Sequence, residues 1–322
     1  MAQLIENAKT YTGEELANIF LRPSFTGDSA AALGLRVLYN TPVNTTLNFW
    51  SRRENILKKY AKGFQGGEAS KKYQKTISMT KVKAEQEISA SDYFSTVYER
   101  ITNTPGVNLQ DLKGTDIENA EVSLFREAIA EDSRVTMWVG DTAKGMSDYD
   151  LFDGLLVKAS SYDKTKKVTL SATPTDKTIK AAFDSVWQAA PDILKALKST
   201  GKLVYFVTAD VYEAYESFLD SYTNTVAYGE LQKGRSVLNY HGVEVRKIDI
   251  DSHLKESQSI ILLSHRENLV FALNTTAMPE AGVSMWYNAD EMANRQRACF
   301  LAGTEILDDE LVVFASTKVA EE

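Results

Sequence analysis

The 322-residue sequence holds one cysteine, three histidines and six prolines, and each scarcity removes a class of explanation. Cys299 has no second cysteine to pair with, and its setting in RACFLAG is that of a small core hydrophobe rather than an exposed nucleophile. His241, His253 and His265 include no i, i+4 pair of the kind that holds a metal on a helix. No run approaches the roughly 20 consecutive apolar residues of a membrane-spanning helix. The opening MAQLIENAKTYTGEE lacks the basic and apolar regions of a secretory signal, so the chain is expected to stay in the cytoplasm where it is made. What is present, 43% hydrophobic and 25% charged residues, is an ordinary globular composition, and the length allows about two compact units.

The net charge of -8 is unevenly spread. Between Ser51 and Lys83 ten basic residues (Arg52, Arg53, Lys58, Lys59, Lys62, Lys71, Lys72, Lys75, Lys81 and Lys83) face only Glu54 and Glu68, giving +8 and leaving -16 for the remainder. A basic segment on an acidic chain calls for a counter-charge elsewhere in the molecule, on another copy, or on nucleic acid. The overall acidity argues against a dedicated nucleic-acid binder.

The pattern of apolar residues predicts a series of elements. Thr12–Leu21 reads as a short helix with capping-box spacing from Thr12 to Glu15, an apolar face of Leu16, Ile19 and Phe20, and Pro23 as its stop. Ser24–Trp50 lacks sustained periodicity and reads as an extended arm. Lys71–Ile88 reads as extended, two strands or a bulged one, too polar on both faces for a hairpin with its own core. Thr115–Arg134 is the clearest helix, capped by Thr115 and Glu118 and striped by Ile117, Ala120, Leu124 and Ala128; VTMWVGD after it reads as a strand. After Gly154 come helices at Asp176–Ala190 and from Pro191 to Leu197, strand LVYFV, helix ADVYEAYESFLDS and strands GVEVRKI, SIILLS and NLVFALN. That alternation is an α+β unit. VSMWYN, RQRACFLAGTEIL and ELVVFAS then make the end strand-rich.

Chemistry finds few anchors. GDTAKGMS at Gly140–Ser147 lacks the Lys-Ser/Thr pair of a phosphate loop, and neither a G-x-S-x-G elbow nor an H-E-x-x-H helix occurs. The one constellation is Asp249, Asp251 and His253, which strand alternation would place on one face as possible ligands of a divalent metal; a solvated strand end is the plainer reading.

Taken in order, REAIAEDSRVTMWVGD (Arg126–Asp141), YHGVEVRKI (Tyr240–Ile248), ENLVFALNT (Glu267–Thr275) and the closing VSMWYNADEMANRQRACFLAGTEILDDELVVFAS (Val283–Ser316) resemble tailed-bacteriophage major capsid proteins of the Hong Kong 97 type, with Ala272-Leu273 where those proteins carry Gly-Thr. The resemblance implies an α+β capsid fold in four parts. These are an N-terminal arm at 1–50, an extended loop at 51–89, a peripheral domain with a long spine helix at 90–149 and 282–322, and an axial domain at 150–281. It implies a non-catalytic subunit without cofactor or metal, assembling in the bacterial host cytoplasm as pentamers and hexamers into an icosahedral virion shell around double-stranded DNA. Arg52, Arg53, Lys58, Lys59, Lys71, Lys72, Lys75, Lys81 and Lys83 would then contact a neighbouring subunit. A portal protein, a separate scaffolding or decoration protein and non-specifically held DNA are the other partners implied, with no membrane. An encapsulin-like compartment shell, or a metal-dependent enzyme built on Asp249, Asp251 and His253, are the alternative expectations.

Overall fold

A computed structural model describes residues 29–41, 44–50, 59–63, 72–89, 116–145, 149–221, 238–250, 253–254, 258–275 and 282–317. The expected helix at 12–21 lies outside them. The chain runs β1 (Arg36–Tyr39), β2 (Thr45–Trp50), β3 (Lys72–Ile77), β4 (Thr80–Ser89), α1 (Asp116–Val139), α2 (Leu155–Ser161), β5 (Lys166–Thr169), α3 (Ile179–Ala189) and α4 (Asp192–Ala196). It continues through β6 (Leu203–Val207), α5 (Ala209–Ser221), β7 (Asn239–Tyr240), β8 (Val243–Lys247), β9 (Ile260–His265), β10 (Leu269–Asn274), β11 (Gly282–Asn288), β12 (Ala293–Ile306) and β13 (Val312–Ser316).

A six-stranded mixed sheet in the order β5-β13-β9-β6-β8-β7 divides two cores. Its central strands are buried on both faces, so they read as continuous apolar runs instead of alternating. Tyr205, Val207, Ile261, Leu263, Val313 and Ala315 face one core with Phe183 and Val186 of α3 and Val211 and Tyr215 of α5. Their neighbours Val204, Phe206, Leu262 and Phe314 face the other, with Trp138, Leu155 and Phe300. His241 and Gly242, at φ 49 and 71, close the two-residue hairpin between β7 and β8.

The second sheet is organised by β12. β4 lies antiparallel along one side of it, from Ala302↔Thr80 to Ala293↔Ser89. β10 and β11 lie end to end along the other side, where Asn274 pairs with Leu301 and Gly282 with Cys299. β1 adds in parallel to β10.

Three sequence expectations are corrected. VTMWV is not a strand but the last turns of α1, which at 24 residues is a rod of about 36 Å. Val135–Val139 are buried on every side, so the one-sided stripe that marks the earlier turns disappears just where β-branched and aromatic residues accumulate. The stripe itself is only half buried at Leu124 and exposed at Ala128. The arm at 24–50 is not wholly irregular, since it supplies β1 and β2. Strand pairing links the parts on either side of residue 282: β10 pairs with β12, and β13 joins β9 and β5 in the six-stranded sheet. Every-other-residue patterning reports faces, not sheet membership.

A candidate assembly ribbon and its anchor

β2 and β3 form a separate two-stranded antiparallel sheet, in register from Thr45↔Ile77 to Trp50↔Lys72. Polar side chains bridge the ladder: Thr46 and Thr76 hydroxyls lie 3.1 Å apart, and Gln74 Nε2 donates to Asn48 Oδ1 at 2.9 Å. Such a ribbon cannot bury a core and is marginal alone. Its support is at its root, where Ile77 is fully buried and Met79 nearly so among Val270, Ala272 and Leu301, with Leu47 packed alongside. The chain crosses β12 there so closely that a Cβ on Gly303 would overlap the carbonyl oxygen of Ser78.

A buried ionic node pins the same root. Glu305 on β12 is 6% exposed, accepts from Lys158 Nζ of α2 at 2.9 Å and from the Tyr162 hydroxyl, and lies 3.8 Å from Lys75 Nζ on β3. Lys158 also donates to the Thr304 carbonyl at 2.7 Å, and Lys75 sits 4.0 Å over the centre of the Tyr162 ring. Burial, then the bond to Glu305, pushes the Tyr162 phenol well above its usual range, so it remains a donor. Two ammonium groups and a hydroxyl thus compensate one desolvated carboxylate. The node was missed by sequence reasoning, yet it left a signal: Glu305 is the only acidic residue in β12, next to the apolar run ACFLAG.

The predicted basic contact residues divide. Arg52, Arg53, Lys58 and Lys71 lie outside the described residues, and Lys72 is on β3. Lys59 is exposed in the connection between β2 and β3, beside Tyr60, which is 97% exposed. Lys75 turns inward to Glu305. Lys81 and Lys83 are exposed but belong to β4, within the five-stranded sheet, and Lys83 pairs with Glu85 at 2.8 Å. The segment Lys71–Ile88 is therefore two strands with different partners, not a hairpin. The two-stranded element is β2 with β3, and residues 45–77, from the start of β2 to the end of β3, hold eight basic and two acidic residues, a charge of +6.

Neither protein-family profiles nor curated proteins match the chain in sequence. Solved structures match it in shape almost from end to end. The capsid of a native GTA particle shares 12% identity at a TM-score of 0.58, covering 97% of this chain and 94% of that one. The mature capsid of bacteriophage PhiM1 shares 11% at 0.52, covering 98% and 91%, and the satellite phage P4 procapsid 10% at 0.52, covering 95% and 99%. This chain has the Hong Kong 97-type fold.

Within that fold the other residues singled out are dispersed. β8 ends at Lys247, so no strand alternation gathers Asp249, Asp251 and His253: Asp249 pairs with Lys247 at 2.8 Å, His253 packs edge-on against Tyr149, and Asp251 lies outside the described residues. Among the described residues no group of three or more His, Cys, Asp or Glu could hold a metal ion. Cys299 is buried on β12. Gly140, at the head of the phosphate-loop-like stretch, accepts from Gly154 N at 2.7 Å, where a Cβ on Gly154 would lie 2.5 Å from the Trp138 carbonyl oxygen; this crossing joins α1 to α2. No helix among the described residues is long and apolar enough to cross a membrane.

Proposed function

We propose that the chain is the major capsid protein of a tailed bacteriophage, a structural and non-catalytic subunit. It closes as hexamers and pentamers into an icosahedral shell around double-stranded DNA. The observation that carries this reading is the correspondence in fold over more than nine-tenths of both chains with three particle shells. The ribbon supports it independently. A two-stranded extension with no core, a basic charge and a bare Tyr60 is poorly used in a lone molecule and well used as a strap over an acidic neighbour. Contacts repeated around a closed shell are effective even where each is weak.

In this reading residues 1–50 are the arm, residues 51–89 hold most of the extended loop, 90–149 with 282–322 make up most of the peripheral domain, and 150–281 most of the axial domain. Arg52, Arg53, Lys58, Lys59, Lys71 and Lys72 are the strap's contact residues, and Lys81 and Lys83 an adjoining exposed row on β4. Further partners are a portal protein, a separate scaffolding or decoration protein and the packaged DNA, with assembly in the host cytoplasm. A net charge of -8 suits a DNA container, since strong phosphate binding would oppose packing and release. The test is Lys59→Glu, Lys71→Glu and Lys72→Glu together, read by sizing chromatography and circular dichroism. Folded subunits or capsomers that no longer close are expected, and shells formed as by the unaltered chain would remove the strap's role.

A further inference from the structure

An apolar groove of about 410 Å³ runs between the turn at 29–34, the outer face of α1 and strands β1, β10 and β12. Ile129, Met137, Val37, Phe271, Leu273 and Phe300 line it, and one rim is polar, with Arg126 and the Glu131–Arg134 ion pair. We infer that this groove receives the apolar face of residues 12–21 of the same chain.

Four observations point to that occupant. The described chain begins at Ser29, and Ser29, Ala30 and Ala31 are themselves part of the lining, so the tether to residues 12–21 is anchored at the groove's edge. The seven residues 22–28 span at most about 24 Å, and a ten-residue helix is about 15 Å long, so a helix over 12–21 lies within reach of the groove. The fit in size is adequate: a cavity of about 150 Å³ accepts one benzene-sized group, and Leu16, Ile19 and Phe20 are three apolar side chains set on one helical face. The charges also agree. Glu15 flanks that face, and Arg126, exposed on the rim, has no carboxylate partner among the described residues. A tether this short gives an effective concentration of about millimolar, enough for a contact that would be weak between separate molecules.

The test uses the full-length purified chain carrying the photoreactive residue p-benzoylphenylalanine at Phe20, at Leu16 or, as a control on the opposite helical face, at Asn18. Each is irradiated in an equal mixture of ordinary and ¹⁵N-labelled protein, and the cross-linked peptides are mapped by mass spectrometry. Probes at Phe20 and Leu16 are expected to join residues 126–137 or 269–275 of the same chain, several-fold more often than the Asn18 probe. Cross-links elsewhere, or equal yields from all three positions, would overturn the inference. A predominance of mixed-isotope pairs would assign the groove to the arm of a second copy and equally overturn the same-chain occupant.

Discussion

Glu305 ties α2, β3 and β12 together through one desolvated, shared carboxylate. Removing one partner of such a buried group leaves the others uncompensated, at a cost of about 3–5 kcal/mol. Glu305→Ala is therefore expected to lower the denaturant midpoint of the unassembled protein sharply, by about that energy. Glu85→Ala, whose partner Lys83 is solvent-exposed, should change it by less than about 1 kcal/mol. Equal effects would contradict the burial of the node. Gly303→Val makes a parallel case. The added side chain would collide with the backbone at Ser78 and displace the root of the ribbon, so loss of stability is expected where an ordinary strand position would gain from valine. At this scale the sequence was partly legible: a lone carboxylate in β12 announces a partner, but which of 36 basic residues supplies it depends on contacts more than 140 positions away.

Elements were legible where a cap, a turn residue or a continuous apolar run marks them, and obscure where they are very short or where a helix is buried all round. The acidic first turns of α1, the hairpin at His241-Gly242 and the runs LVYFV, SIILLS and NLVFALN all signal themselves through caps, turn residues or apolar continuity. α2 and β5 gave no signal, being seven and four residues long, below the length at which periodicity discriminates. The end of α1 misled for the opposite reason, since complete burial erases the period. This shifts the helix's energetic centre toward its C-terminus. Trp138→Ala is expected to cost about 3–5 kcal/mol, Trp138 being fully buried and 5.4 Å from the Phe206 ring centre. Leu124→Ala, half buried, should cost clearly less than the 2–5 kcal/mol of a fully buried leucine. Urea titrations of the two variants side by side check the order, and a reversed order would place the core elsewhere along the helix.

For the whole molecule, the fold class and the α+β order were readable, whereas the way the last two strands part company was not: β12 and β13 are separated by five residues yet enter different sheets. The charge distribution was readable too: residues 45–77, which begin and end in the two strands of the ribbon, carry +6 and the rest of the sequence -14. Attraction between exposed charges is screened over about 10 Å at 0.1 M salt and about 3 Å at 1 M, so assembly is expected to weaken as sodium chloride is raised, followed by light scattering. Insensitivity to salt would mean that the strap binds through apolar contacts such as Tyr60 instead.

The central claim is that this chain builds a closed shell, and electron microscopy of the purified protein tests it most directly. The account predicts uniform closed particles, or rings of five and six subunits, with a sizing profile to match. A stable monomer or dimer under all conditions, with and without co-expressed phage head proteins, would contradict it.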